Sequence, residues 1–444
     1  MIDRRHIIGA LRSKFGTVKP ILSAVGGVGA AAALSQLASI LVAPLLSRLY
    51  PPEAFGQFGA LLSFANIVSV LVLAGMNDAI LAAHDDDAAS TLLGAALKLL
   101  LALLVPAWLL SAAAIGMGWA GLSGLPTAAS AVVTTLVAVL VLLSLLQAQL
   151  GRQLRFKPLA LSYVTLGWSR AALQVAIGLA TARYWGLAAG ELFGRLLANA
   201  VMTRGLGGHV ATAWRIPLRD CMRSGWQYRR FPINRTPSML ISAIAVGAPV
   251  LMIADLYGAA SAGQFSLMMT LLLAPLALLQ RAAGDVFIGH FGQRYRSDRR
   301  QAARLALVFA AALGILAVGS AILCWFAAAP FFRLFLGELW APAGIMAALC
   351  APWIGAMILV LPLSQILNVV HRPELKLVFD IVFAAMLGAL YWWSNQTSPS
   401  PLEFVAWLSG LATACYLLFV PLIWIALRRP GAMLTPQGAD AISE

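Results

Sequence analysis

The stretch Arg48–Ile80, RLYPPEAFGQFGALLSFANIVSVLVLAGMNDAI, occurs twice in this chain. Its copy, Asp255–Phe287, reads DLYGAASAGQFSLMMTLLLAPLALLQRAAGDVF. At a fixed offset of 207, Leu49-Tyr50 becomes Leu256-Tyr257, Gly56-Gln57-Phe58 becomes Gly263-Gln264-Phe265, and Asp78 becomes Asp285. Apolar sequence yields Leu-for-Leu matches by chance. Gly-Gln-Phe followed 22 residues later by the only acid inside either of these two apolar runs is much harder to obtain that way. The repeat makes this a duplicated membrane bundle, with the hairpin as the core of each half.

Composition points to the same class. Of 444 residues, 61% are hydrophobic and 11% charged, against about 25% charged in soluble domains. Apolar runs near 20 residues recur along the whole length, each long enough to cross about 30 Å of hydrocarbon as a helix. They are rich in Leu and Ala, and none alternates as a barrel strand must. The first run, Ile21–Leu46, is too long for a signal h-region and reads as the first span. Cys221, Cys324, Cys350 and Cys415 are far apart, with no disulfide framework or metal spacing. The five histidines form no ligand cluster either.

Twelve spans are expected, roughly 22–47, 55–83, 91–114, 128–150, 160–181, 185–204, 232–254, 262–289, 302–327, 342–368, 375–393 and 403–427. Of the 31 Lys and Arg, 25 fall on one side of this topology, three on the other and three inside spans. The positive-inside rule then puts both termini in the cytoplasm. It also accounts for the net charge of +14: these charges lie beside anionic lipid and form no nucleic-acid surface. The domain organisation expected is an N-terminal six-helix lobe, residues 1–206, a basic linker, 207–231, and a C-terminal six-helix lobe, 232–444. In the linker, Ile216, Leu218, Met222 and Trp226 alternate with Arg215, Arg219, Arg223 and Arg230. That pattern fits either an amphipathic segment on the inner leaflet or a solvated basic loop.

Charged groups within spans are costly, by roughly 2.5–3.5 kcal/mol each on insertion scales, and so are functional candidates. Span eight holds Arg281 and Asp285, four apart and on one face; span six holds Glu191 and Arg195 at the same spacing. Span five holds Arg170 with Gln174 one turn on, and span two holds Asn66, Asn77 and Asp78. Arg170, Arg195 and Arg281 offer forked donors suited to phosphate oxygens. The other reading of Glu191–Arg195 and Arg281–Asp285 is a neutral pair that holds helices together. Asp78 and Asp285 lie near the cytoplasmic ends of their spans, where a gate or an anchor would sit. Gly26-Gly27-Val28-Gly29 and Gly190–Gly194 are small-residue faces for close helix contact. Asp85-Asp86-Asp87 reads as a helix-start signal. No catalytic set, metal motif or phosphate-binding loop is visible.

Four stretches carry a resemblance. They are Leu46–Tyr50 with Phe55–Phe58; Tyr228-Arg229-Arg230-Phe231-Pro232; Pro249-Val250-Leu251 through Gly263-Gln264-Phe265 to Asp285-Val286-Phe287; and Leu336-Gly337-Glu338-Leu339-Trp340-Ala341-Pro342-Ala343-Gly344. In this order they resemble the polysaccharide-exporter or oligosaccharide-flippase family, within the multidrug, oligosaccharidyl-lipid and polysaccharide exporter superfamily. The resemblance implies an all-α polytopic membrane protein whose two parallel six-helix repeats form a V, with spans one, two, seven and eight lining the cavity. It implies flipping of undecaprenyl-diphosphate-linked oligosaccharide from the inner to the outer leaflet of the bacterial inner membrane, by alternating access. It implies no catalysis and no cofactor. Its partners would be the lipid-linked oligosaccharide, membrane lipid, and a polysaccharide polymerase with its export machinery. The family has no strict cavity motif. The site residues therefore rest on charge and polarity within spans: Arg281, Arg170, Arg195, Asn66, Asn77 and Gln174 for diphosphate and sugar, and Asp78, Asp285 and Glu191 for gating or coupling. Two competing classes are a cation-coupled small-molecule exporter of the same superfamily, which would favour acids in its cavity, and a membrane polymerase or ligase, which would need larger external loops.

Overall fold

The computed structural model describes residues 4–370, 372 and 374–428; side chains are described from residue 26 onward, except 120, 277–286, 288, 289, 296, 368 and 428. Every regular element among the described residues is helical. The long ones are α1 (Arg4–Leu49), α2 (Pro52–Leu73) with the short α3 (Met76–Ala82), α4 (Asp86–Gly116), α5 (Ala129–Arg152), α6 (Phe156–Gly178) and α7 (Tyr184–Leu206). Two short helices, α8 (His209–Arg215) and α9 (Leu218–Gln227), lead into α10 (Arg230–Ser297). Then come α11 (Arg299–Leu336), α12 (Ala341–Leu349), α13 (Ala351–Ser364), α14 (Ile366–Val369), α15 (Glu374–Thr397) and α16 (Pro401–Arg428).

Among the described residues eight helices are long and apolar enough to cross a membrane, or nine if the bent pair ending in α12 and α13 counts as one span. Three more follow from the geometry. α6 and α7 are 23 residues each, made less apolar by Arg170, Glu191, Arg195 and Arg204. α10 is two helices joined at Gly258, whose φ of 80° interrupts the helical run. That makes twelve, as the apolar runs require. The chain is thus an all-α, multi-pass membrane protein.

Three spans differ in detail from the expected runs. Span two is broken: Ala74 and Gly75 both adopt left-handed φ, and α3 starts afresh at Met76. Span ten bends by 52° at Cys350, just before Pro352, because proline lacks the N–H that would continue the ladder. The segment near Asp85-Asp86-Asp87 behaves as a helix start: the Asp85 carboxylate accepts from the Ala88 N–H at 2.6 Å. Arg152 closes the gap between α3 and α4, donating to the Ala83 carbonyl at 2.6 Å and pairing with Asp86 at 3.2 Å.

By contact the chain forms two compact units, residues 1–267 with 335–340, and 268–334 with 341–444. In the first unit α2 runs antiparallel along the first leg of α10. Gly75 lies beside Phe231 and Arg235, Ser63 and Ile67 beside Gly247, and Gly59 beside Val250 and Ser266. Small residues let these backbones approach, as lipid-embedded helices require. This explains why the seventh span groups with the first six. Grouping by repeat, at residues 206 and 232, is a division along the sequence; grouping by contact follows which faces meet. α5 and α7 share a core of Leu143, Leu146, Leu150, Ala198, Met202 and Leu206. In the second unit, Leu276, Ala317, Ile354 and Ile358 pack together, and Phe379, Phe383, Tyr416 and Phe419 form an aromatic cluster between α15 and α16.

Candidate functional site

Two constructions in the first unit bear on function: a contact between the duplicated hairpins, and a charge cluster buried among helices.

The duplicated hairpins touch each other. A Cβ added to Gly56 would lie 1.8 Å from the Ala259 carbonyl oxygen and 2.9 Å from the Gly263 nitrogen. A Cβ added to Gly263 would lie 1.8 Å from the Pro52 carbonyl oxygen and 2.8 Å from the Gly56 nitrogen. Pro52 and Ala259 are themselves 207 apart, so the two sets of contacts are equivalent under exchange of the two copies. A local two-fold axis therefore passes between Gly56 and Gly263. No side chain larger than hydrogen fits at either place.

The resemblance residues of the first hairpin and of the Leu336–Gly344 stretch gather at the same end, whereas Phe231 lies at the other end of α2, beside Gly75. Trp340 is fully buried; its indole N–H donates to the Ser47 carbonyl at 2.9 Å, and its ring meets Phe55 edge-on at 5.1 Å. Ser47 donates to the Leu336 carbonyl at 3.1 Å, and Gln264 to the Leu339 carbonyl at 3.2 Å. Tyr50 is 1% exposed and donates to the Gln174 carbonyl at 2.8 Å, its ring seated against Gly178 and Gly186. At the other end of α2, Asp78 pairs with Arg235 at 3.2 Å, next to the break at Gly75.

The charge cluster lies where α1, α6 and α7 meet. Glu191 is 1% exposed. Its Oε1 accepts from Arg195 Nε at 2.8 Å within α7, and its Oε2 from Arg170 Nη1 at 3.3 Å across from α6. Arg170 also donates to the Ser39 hydroxyl on α1. Gly190 and Gly194 make this possible: a Cβ on either would collide with Gln174 or Arg170 on α6, and Gly167 is equally tight against Ser35 on α1. One carboxylate thus faces two guanidiniums, leaving one net positive charge. An unpaired ion here would be strongly disfavoured, and each group is held by the others.

The other expected site residues are placed as follows. Gln174 is buried and donates to the Leu187 carbonyl at 3.0 Å. Asn66 is exposed on α2, its amide turned back to the Leu62 carbonyl at 2.8 Å. Asn77 sits beside Asp78 at the start of α3, and its Oδ1 is buried with no hydrogen-bond partner among the described residues. Arg281 and Asp285 lie on the second leg of α10, and their side chains are outside the described residues. The structure therefore brings Arg170, Glu191 and Arg195 into one cluster, with Gln174 one turn from Arg170, and sets Asn66, Asn77 and Asp78 apart on the broken span. Sequence reasoning missed Ser39 and Arg235. Ser39 carried no signal beyond a hydroxyl in an apolar run. Arg235 stands in the first turn of the seventh span, 232–254, and by the charge count belongs with the topology charges.

These features define a polytopic membrane protein built on a duplicated hairpin, with a buried carboxylate and two partly buried arginines among its spans. The sequence model of a family described as polysaccharide biosynthesis protein matches residues 45–344, so the chain belongs to that family. No curated relative matches the sequence. The fold is that of the MOP-superfamily flippases and exporters. It is similar to the lipid II flippase MurJ in an inward closed conformation, with a TM-score of 0.69 at 11% identity over 90% of this chain and 87% of that one. It is similar to a multidrug resistance MATE family transporter in an inward-facing conformation, with a TM-score of 0.67 at 13% identity over 90% and 94%. A MOP superfamily transporter from Pyrococcus furiosus matches with a TM-score of 0.57 at 16% identity over 91% and 96%.

Proposed function

We propose that this protein flips an undecaprenyl-diphosphate-linked oligosaccharide from the inner to the outer leaflet of the bacterial inner membrane, with both termini cytoplasmic. Membership of a polysaccharide biosynthesis family supports the glycan, and the likeness to a lipid II flippase supports a lipid-linked one. The observation that carries the reading is the surplus positive charge among Arg170, Glu191 and Arg195 inside the spans. A membrane protein tolerates such a charge where an anion is to be met. Arg281, Arg170 and Arg195 would take the diphosphate through forked donors, and Asn66, Asn77 and Gln174 the sugar. Asp78, Asp285 and Glu191 would gate or couple the movement. No bond is made or broken, so the residues need only bind, shield and release.

In the second unit a groove of about 560 Å³, lined by Leu272, Leu276, Leu323, Phe331 and Ile358 among others, suits a length of hydrocarbon. The polyprenyl tail would remain in such apolar surroundings while the sugar crosses. The two six-helix lobes, 1–206 and 232–444, would move against each other about the linker between them. A small-molecule exporter is the competing reading, since the MATE fold fits nearly as well; the arginines within the spans count against cationic cargo.

The test is a leaflet-sidedness assay for lipid-linked glycan in proteoliposomes with and without the protein. Arg281→Ala is expected to abolish translocation while the protein stays in the membrane at its normal level. Undiminished glycan export by that variant would overturn the assignment, and efflux of cationic dyes would favour the exporter.

A further inference from the structure

The linker between the sixth and seventh spans carries a second surface. α8 and α9 are seated firmly on α4. A Cβ on Gly94 would lie 2.3 Å from the Ala213 carbonyl oxygen. The Lys98 ammonium donates to the Ile216 carbonyl and approaches the Cys221 sulfur at 3.3 Å. Cys221, the one buried residue of α9, is therefore the face that touches the protein.

The rest of α9 points away, and its chemistry is sorted. Leu218, Met222 and Trp226 recur every fourth residue and form one stripe. They are 59%, 66% and 70% exposed, on a ten-residue helix between spans that has no hydrocarbon depth of its own to meet. Arg219 and Arg223 follow the stripe along one flank, both exposed, and Asp220 lies beyond Arg223, on the side of the helix away from the stripe. Arg229 stacks over the Trp226 ring at 4.4 Å, and Arg215 and Arg230 extend the basic belt. A soluble loop would have no reason to hold three large apolar side chains outward in register. A protein partner would not need five arginines bordering them. A membrane surface needs both: an apolar wedge for the acyl boundary and cations for the headgroups.

We propose that α9 is a docking site for anionic phospholipid, and that it fixes the linker and α4 to the membrane surface as one body. The occupant is the anionic phospholipid of the leaflet at the Asp78 end of the helices; the lipid-linked substrate is not required. Zwitterionic lipid would accept the apolar stripe but leave Arg219 and Arg223 uncompensated. Each arginine beside an anionic surface strengthens binding roughly fivefold, so headgroup charge decides the occupancy.

The experiment uses the full chain in nanodiscs of phosphatidylcholine mixed with phosphatidylglycerol. Trp226 is replaced by the photo-cross-linker benzoylphenylalanine, and adducts are identified by mass spectrometry. The expected result is lipid adducts enriched in phosphatidylglycerol well beyond its share of the bilayer. Arg219→Glu with Arg223→Glu should bring the enrichment down to that share, while Arg219→Lys with Arg223→Lys should largely keep it. Adducts in the bulk lipid ratio, adducts to a second copy of the chain, or no lipid adduct at all would each overturn the proposal. So would enrichment unchanged by the Glu pair. If the Glu pair fails to fold, the ratio in the parent chain still decides. None of these readings depends on transport, so they stand or fall apart from the flippase assignment.

Discussion

Glu191 is the residue on which the first unit's interior charge turns. It is shared by Arg170 and Arg195, and removing it leaves two cations with no counter-ion. Glu191→Leu is expected to lower stability by about 3–5 kcal/mol, the usual consequence of breaking a buried pair from one side. Thermal unfolding of detergent-solubilised protein, followed by size-exclusion, would measure it. Replacing all three residues by apolar ones should recover most of that loss and still abolish translocation. The i, i+4 relation of Glu191 and Arg195 was legible in the sequence, because one helix determines it. The approach of Arg170 was not: it comes from a different helix, and only the Gly190 and Gly194 contacts bring the two backbones close enough. Of the two alternatives for Glu191 and Arg195, the geometry shows the pairing directly, and the surplus positive charge leaves ligand binding open to test.

At the scale of elements, glycine decides which helices can approach. Gly56 and Gly263 occupy equivalent places in the repeated hairpin and make equivalent contacts. Gly56→Ala and Gly263→Ala should therefore destabilise to the same extent, about 1–3 kcal/mol each as for overpacked cores. Gly388, with nothing within 4 Å of an added Cβ, is the control: Gly388→Ala should be neutral or slightly stabilising, since alanine favours a helix. Unequal effects at Gly56 and Gly263 would show that the local two-fold does not extend to energetics. The Asp78–Arg235 pair beside the break in span two is half-exposed, so Asp78→Asn should change stability by less than about 1 kcal/mol. A large loss of transport in that variant, rescued by the exchange Asp78→Arg with Arg235→Asp, would mark the pair as a gate. The last long helix, α16, shows how local signals operate: Ser400 and Glu403 bond reciprocally, Glu403 accepting from the Ser400 N–H at 2.8 Å and Ser400 from the Glu403 N–H at 3.3 Å. This reciprocal pair satisfies backbone N–H groups that the first turn of the helix would otherwise leave open.

At the scale of the whole molecule, the chain is a multi-pass helical protein of a polysaccharide biosynthesis family with the MOP exporter fold. The uneven distribution of Lys and Arg predicts its sidedness. Protease or membrane-impermeant label applied to spheroplasts should spare the linker, 207–231, and both termini, and should reach them in inverted vesicles. Labelling of the linker from outside would reverse the orientation and with it the direction proposed for transport. The span count was legible because hydrophobic length is a property of each segment by itself. Two of the twelve, α6 and α7, were legible only as length, since their charged residues dilute the apolar signal; three of those residues, Arg170, Glu191 and Arg195, form the charge cluster.

The sequence by itself determined that the chain crosses a membrane many times, that it was built by duplication, and which few charges lie within its spans. Each is a local quantity: run length, a fixed offset, a residue's position within a run. Only the tertiary structure decided that the two copies of Gly-Gln-Phe meet across a local two-fold, that Trp340 closes over the first hairpin, and that Arg170 and Arg195 share Glu191. Those depend on which helix faces come together. In a bilayer every apolar face is equally acceptable to lipid, so hydropathy cannot choose among them. Small residues that admit close approach, and buried polar atoms that must find one another, make the choice.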